Sequence, residues 1–262
     1  MRNGNGSFIN LEREGTIAIV TINNPPLNVL TDKVLTELDL ALDNIENFRD
    51  CRGIIVRAIG EKAFVAGADI LQFPSLTKNS GIELVEKGKR IFDRLSESKM
   101  PVICAISGLA LGAGLELALA CDIRIADENA RLGLPETGLG ILPGYAGTQR
   151  LARLIGPGKA KEMIFTGDAL SAKEAYEVGL VERVVPVGES FTYVKAMAEK
   201  IARKGPLAIS NAKKAVDYGL DMNLSNGQAL ETELFSNLCE TQDMKEGVQA
   251  FIGKRKPVFV GD

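Results

Sequence analysis

M-P-V-I-C-A-I-S-G-L-A-L-G-A-G-L-E-L-A-L-A-C, residues 100–121, is the longest apolar run in the chain, and its reading decides the fold. It is broken by Pro101, by glycines at 108, 112 and 114, and by one acid, Glu116. A membrane-spanning helix does not normally carry a central carboxylate beside glycines, since the charge would lose its water. The run divides instead into a buried strand, Val102 to Ile106, a glycine-rich turn, and an apolar helix over Leu115 to Ala120.

The flanks repeat this alternation. Upstream, T-I-A-I-V-T-I at Thr16 to Ile22 is β-branched and is stopped by N-N-P-P at Asn23 to Pro26, a strand followed by a turn. Thr31 opens a helical pattern with apolar residues at Val34, Leu35, Leu38, Leu42 and Ile45, and Gly53 to Ile59 is the next strand. A loop at Gly60 to Asp69 leads to a more polar helical stretch around Glu83 to Leu95. Downstream come a short strand at Asp122 to Ala126, a helix opened by the capping box S-A-K-E at Ser171 to Glu174 and stopped at Gly179, and the strand Leu180 to Val185. The class expected is α/β with a mainly parallel sheet buried by helices.

Beyond Pro186 the strand signal disappears, and Phe191 to Phe251 is Ala-, Lys- and Glu-rich with helical spacing, interrupted at Gly205-Pro206 and near Asn226-Gly227. A boundary is expected near residue 190, between an α/β core at 1–190 and a helical region at 191–262.

Composition narrows the chemistry. With 45% hydrophobic residues among 262, a disordered chain is ruled out, and a net charge of −3 argues against nucleic acid or an anionic membrane surface as the main partner. The chain has no His, which excludes Ser-His-Asp and Cys-His mechanisms and His-ligated metals. Proton transfer falls to Glu, Asp, Lys, Tyr or Cys. Cys51, Cys104, Cys121 and Cys239 form no C-x-x-C pair and read as reduced, mostly buried thiols of a cytoplasmic protein. Met1 to Gly6 is polar and shows no secretory or organelle address.

Three segments hold candidate chemistry. In Ser107 to Glu116, Gly112 and Gly114 let the backbone approach a ligand while the following helix aims its unpaired N–H groups there; a tight turn that needs glycine only for its dihedrals is the plainer alternative. Glu116 either faces solvent, caps its helix, or sits in an apolar cleft with a raised pKa; taken alone, capping is the simplest account. Glu136 follows Leu134-Pro135 and precedes T-G-L-G-I-L-P-G-Y-A-G-T-Q-R, a stretch with few polar groups for a surface loop. In Lys62 to Ile70, K-A-F-V-A-G-A-D-I, small residues from Ala66 to Ala68 expose N–H groups and Asp69 is placed to cap a helix. N–H groups from two such loops converging on one oxygen would stabilise an oxyanion.

Together these segments resemble the crotonase, or enoyl-CoA hydratase/isomerase, superfamily over nearly the whole chain. The motifs that carry the resemblance are A-G-A-D-I at Ala66 to Ile70, G-A-G-L-E at Gly112 to Glu116, L-P-E at Leu134 to Glu136, and I-L-P-G-Y-A-G-T-Q-R-L at Ile141 to Leu151. The resemblance implies a spiral of ββα units, with a C-terminal helical region that builds trimers, usually paired into hexamers. It implies oxyanion-hole N–H groups from Ala68 and Ala113, and Glu116 and Glu136 as the catalytic acids. Ala66, Gly67, Asp69, Ile70, Gly112, Gly144 and Tyr145 are expected to line the acyl-CoA site, with Lys62 near the adenine. No metal and no cofactor beyond the substrate's own coenzyme A is expected.

Two departures stand out: Ala113 occupies the middle of what is often G-G-G, and Leu71 stands where several relatives have a phosphate-binding Lys. Lys254, Arg255 and Lys256 are the cations available to compensate. The activity implied is addition of water to a 2-enoyl-CoA, as in fatty-acid β-oxidation. The alternatives are a Δ3,Δ2-enoyl-CoA isomerase, a 3-methylglutaconyl-type hydratase with acyl-pocket shape set by residues such as Leu76 or Tyr145, and an RNA-binding protein on the same scaffold.

Overall fold

The computed structural model describes residues 7–262, so the reading of Met1 to Gly6 lies outside the described residues. In chain order the first half holds β1 (Ile9–Glu14), β2 (Ile17–Ile22), α1 (Asp32–Glu46), β3 (Gly53–Ala58), β4 (Ala63–Val65), a 3-10 turn at Ile70–Ser75, α2 (Lys78–Ser96), β5 (Val102–Ile106), β6 (Leu109–Leu111) and α3 (Ala113–Leu119). There follow β7 (Ile123–Asp127), β8 (Arg131–Gly133), a 3-10 turn at Glu136–Leu139, α4 (Gly147–Ile155), α5 (Pro157–Thr166), β9 (Leu170–Ser171), α6 (Ala172–Glu177), β10 (Arg183–Val185), and the helices α7 (Ser190–Ala202), α8 (Pro206–Leu220), α9 (Leu224–Leu238) and α10 (Gln242–Ile252).

The strands make two sheets, ordered β1-β2-β3-β5-β7-β10 and β4-β6-β8-β9. After β1-β2-α1, whose strands both lie in the large sheet, the units β3-β4-α2 and β5-β6-α3 give their first strand to the large sheet and their second to the small one. Successive units therefore stack side by side, and the α/β spiral expected from the resemblance is the observed fold. Pairing in the large sheet is parallel apart from β1 with β2.

Residue alternation builds the core. In β2, Ala18, Val20 and Ile22 face α1 to α3, while Ile17 and Ile19 join Ile55, Ile103 and Ile125 under Val194 and Ala198 of α7. Each such fully buried aliphatic side chain contributes about 1.5–3 kcal/mol. Thr31 caps α1 by accepting from Val34 N, and Ser171 and Glu174 form the reciprocal capping box of α6, both as read from sequence. Within the expected helical region 191–262, α7 covers the outer face of its own sheet. On α8 to α10, by contrast, Leu220, Leu224, Phe235 and Phe251 are all more than two-thirds exposed.

Several elements differ from expectation. Strand β1, N-L-E-R-E in its last five residues, pairs along one edge of β2 and shows little apolar alternation. The strands of the small sheet have two or three residues each, too few to show a period. Helix α3 begins at Ala113 rather than Leu115, and β10 is limited to Arg183–Val185, with Leu180 and Val181 buried in the preceding turn.

One buried cation, paired with a carboxylate at the surface, braces the helix that holds Glu116. Arg124, 4% exposed, donates to Leu180 O at 3.0 Å and to Cys121 O at 2.6 Å, and is paired with Glu182. Its cation thus satisfies carbonyls just past the C-terminal end of α3, where the helix dipole favours positive charge.

Candidate active site

Two backbone loops meet at the head of α3. Leu30 pairs with Ala68 as an isolated parallel bridge: Leu30 N donates to Gly67 O at 2.9 Å and Asp69 N donates to Leu30 O at 3.1 Å. Because alternate peptide groups of an extended chain point to opposite sides, the N–H of Ala68 is turned away from Leu30, toward the cleft it lines. Ala113 is the first residue of α3, where a helix leaves its N–H groups without internal acceptors. Its backbone is helical, a conformation alanine adopts freely, so the Ala in G-A-G costs the site nothing.

The glycine before it is demanded by geometry. Gly112 has φ 53° and ψ −126°, and a Cβ there would stand 2.9 Å from Glu136 Oε1 and 3.8 Å from the Cα of Gly67. Asn28, fully buried at φ 52°, supports the Ala66 to Ala68 loop from behind. It donates to Ile59 O at 3.0 Å and Ala63 O at 2.8 Å, while Leu27 O accepts from Ala66 N. The sequence reading takes N-N-P-P at Asn23 to Pro26 as a turn and gives no role to Asn28 just beyond it.

Glu116 is 2% exposed and does not cap α3. Its Oε1 accepts from Tyr145 N at 2.7 Å and Gly147 N at 2.8 Å, so it caps α4 from across the cleft, a helix whose own N-cap residue, Ala146, offers no side-chain bond. A Cβ on Gly147 would lie 2.8 Å from that same oxygen, which explains the glycine in A-G-T-Q-R. Burial pushes the Glu116 pKa up to about 7; the two N–H donors pull it down, and the charge of Glu136 adds to the rise.

Glu136 opens the 3-10 turn after β8, and burial raises its pKa as well. Its Oε2 is buried and has no hydrogen-bond partner. Burial in one cleft favours the protonated form of both acids. Of the two, the unpartnered oxygen of Glu136 is the better seat for a shared proton, because Glu116 already has donors to hold a negative charge.

The cleft has a volume of about 1150 Å³. It is lined by Ala66, Gly67, Ala68, Asp69, Ile70, Gly112, Ala113, Glu116, Glu136, Gly144 and Tyr145, so the structure brings together all the expected residues but one. Lys62 is exposed and lies outside the lining. Asp69 caps the Ile70–Ser75 turn as read, accepting from Leu71 N, and Leu71 itself is 87% exposed at the mouth. Of the C-terminal cations, Arg255 is paired with Glu246 at 2.6 Å.

Ala146 adopts φ 72°, the left-handed region that costs a side-chain-bearing residue about 1–2 kcal/mol. Ala146→Gly removes that strain but adds unfolded-state entropy, which returns about 0.4–1 kcal/mol. A net gain of roughly 0.5–1 kcal/mol is expected, read as a higher Tm in thermal denaturation.

Residues 12–262 match the family described as enoyl-CoA hydratase/isomerase. The chain is 44% identical to a short-chain-enoyl-CoA hydratase of Clostridium acetobutylicum, over 94% of this chain and 95% of that one. It is 41% identical to a crotonyl-CoA hydratase of Syntrophomonas wolfei, over 95% and 96%. Among solved structures, an enoyl-CoA hydratase from Bacillus anthracis superposes with a TM-score of 0.93 at 41% identity, covering 97% of this chain and all of that one. Fold, paired acids and relatives agree, and the chain belongs to the enoyl-CoA hydratase/isomerase family.

Proposed function

We infer that the protein is an enoyl-CoA hydratase, adding water across the 2,3 double bond of a 2-enoyl-CoA to give a 3-hydroxyacyl-CoA. The observation that carries this reading is the pair of buried carboxyls, Glu116 and Glu136, facing one cleft whose head presents the Ala68 and Ala113 backbone. The N–H groups of Ala68 and Ala113 hold the thioester oxygen and draw electron density from C3. Glu116, with one oxygen fixed by Tyr145 and Gly147, takes a proton from water as the water oxygen bonds to C3. The π electrons of the double bond pass to C2 and the carbonyl oxygen, and C2 receives a proton from Glu136. The proton gained by Glu116 and lost by Glu136 balance, so no cofactor is needed.

Isomerisation of a 3-enoyl-CoA needs only one acid, so the presence of both favours hydration. A panel of crotonyl-, longer 2-enoyl-, 3-enoyl- and 3-methylglutaconyl-CoA, followed by loss of enoyl-thioester absorbance and product identification, tests the reading. Loss of crotonyl-CoA absorbance with 3-hydroxybutyryl-CoA as product is expected; conversion of 3-enoyl-CoA alone would replace it by the isomerase.

Because Glu116 acts as base and its pKa is raised to about 7, its carboxylate form is lost as pH falls below that value. The value of kcat/KM for crotonyl-CoA is therefore expected to fall about tenfold per pH unit below roughly pH 7, and to fall again at higher pH once Glu136, its pKa raised by burial, has lost the proton it donates to C2. A profile flat down to pH 5 would remove Glu116 from the role of base.

The exposed apolar residues of α8 to α10 support a trimer or hexamer with the region 191–262 at the contacts, since that much uncovered apolar surface is unusual on a monomer. Light scattering at micromolar concentration is expected to give a multiple of three chain masses. The free cysteines Cys51, Cys104, Cys121 and Cys239 support a cytoplasmic setting.

A further inference from the structure

Two charges near the acids sit at the ends of their helices that do not favour them. Arg150 is the fourth residue of α4, where the helix dipole favours negative charge, and Asp93 lies in the last turn of α2, where it favours positive charge. Neither is placed to suit its own helix; each is placed to meet the other. Arg150 Nη2 donates to Asp93 Oδ1 at 2.7 Å and to Ser96 Oγ at 3.2 Å, and the paired side chains are 18% and 34% exposed. The other arm of the guanidinium, Nη1, donates to Tyr145 O at 3.3 Å. Tyr145 N in turn donates to Glu116 Oε1, so a single residue joins the cation to the carboxylate. The segment gripped in this way includes the left-handed Ala146, a strained backbone that persists only where its surroundings hold it, between the two N–H groups that Glu116 accepts.

The other charges around Glu116 are committed elsewhere or stand far off. Lys87, Arg90 and Arg94 of α2 are taken up by Asp32, Asp39, Asp43 and Glu46 of α1. On α4, Arg153 is 64% exposed and bonded to Gln149. Strands β4 and β6, which also pack on α3, carry no charged residue, and Arg124 holds the far end of that helix. Asp69 lines the same cleft but caps its own turn. Burial pushes the Tyr145 hydroxyl up to about 12, which leaves it neutral, and Glu136 is the anion that faces Glu116. Burial raises the Glu116 pKa; the N–H groups of Gly147 and Tyr145 lower it, and Arg150 is the cation that lowers it with them.

We propose that Arg150, held by Asp93, is a positioning residue for the reaction: its charge and its hold on Tyr145 O keep Glu116 seated as a carboxylate, ready to take the proton from water. The proposal rests on the hydratase reading for the role of Glu116 as base. Asp93 has two parts in it, since it anchors the guanidinium to α2 and offsets some of its charge.

The test follows Glu116 in two ways: the acid limb of kcat/KM for crotonyl-CoA against pH, and, without substrate, an infrared titration of the carboxyl band that Glu116→Gln removes. Arg150→Gln takes away the cation while leaving a donor for Asp93. Both midpoints are expected to rise by about half a pH unit or more, because an opposite charge nearby favours the carboxylate and its loss favours the acid. Arg150→Lys keeps the charge and loses the planar fork, and its midpoints are expected to stay closer to those of the unaltered protein. Asp93→Asn leaves the cation without its counter-charge, and both midpoints are expected to fall. A brace with no electrostatic part would lower Tm in each variant and separate them by no such pattern. Unmoved midpoints in a folded Arg150→Gln, or a shift of the same sign in Arg150→Gln and Asp93→Asn, overturns the proposal. If Arg150→Gln does not fold, Asp93→Asn carries the test, and infrared midpoints that do not fall overturn it. Infrared midpoints that shift as expected in a protein that does not hydrate crotonyl-CoA would sink the hydratase reading and leave the hold of Arg150 on Glu116 standing.

Discussion

Glu116→Gln and Glu136→Gln are each expected to lower kcat for crotonyl-CoA by roughly 100- to 10,000-fold, the scale of general acid–base groups, with a much smaller change in substrate binding. Folding should survive the first change, since the amide oxygen of Gln still accepts from Tyr145 N and Gly147 N. The buried charge it removes is one that the site disfavours, as the rise of the Glu116 pKa to about 7 records. The double variant should lose less than the product of the single losses, because in the proposed mechanism the acids act as one unit on one water. Near-normal turnover by either single variant would end the two-glutamate reading. The roles are separable with 3-enoyl-CoA: loss of hydration in Glu116→Gln with isomerisation intact makes Glu136 the proton shuttle and Glu116 the group that handles water. The opposite pattern exchanges the two roles.

The long strands were legible because β2, β3, β5 and β7 are β-branched or apolar runs that need no partner to be recognised. The small sheet was not. Leu109–Leu111 and Arg131–Gly133 are strands only because the spiral lays them beside one another, in a register that local sequence does not encode. The same limit applies at the site. That Ala66 to Ala68 expose N–H groups could be read from small side chains, but the direction of the Ala68 N–H depends on pairing with Leu30. Glu116 had three open fates, and the choice among them is made by Tyr145 and Gly147, distant in sequence and adjacent in space. Lys62 and Leu71 depend on where the rest of coenzyme A runs, which neither residue encodes.

Gly114→Ala is expected to be the most damaging single-methyl change in the molecule. A Cβ at this position would stand 2.0 Å from Val65 O, 2.7 Å from its carbonyl carbon and 2.8 Å from its Cβ, contacts that only movement of the backbone relieves. Helix α3 has little freedom to yield, since Arg124 holds the carbonyls at its far end and Leu115, Leu117 and Ala118 are fully buried. The segment that moves is then β4 and the loop after it, Ala66 to Ala68. In the mechanism proposed above, that loop carries the N–H that acts together with the N–H of Ala113, so the methyl group is expected to drive the two donors apart. Overpacking of this kind costs typically about 1–3 kcal/mol, seen as a lower Tm. Misplacing one oxyanion donor costs roughly 100- to 1,000-fold in kcat. Both losses are expected in one variant, with KM changed less than kcat, because the donors count for most once charge develops on the thioester oxygen. Gly138→Ala is the matched control: a Cβ there meets nothing within 4 Å, and Tm and kcat should both stay close to those of the unaltered protein. A Gly114→Ala variant with full activity would show that the α3 head and the Ala68 loop do not form one oxyanion site.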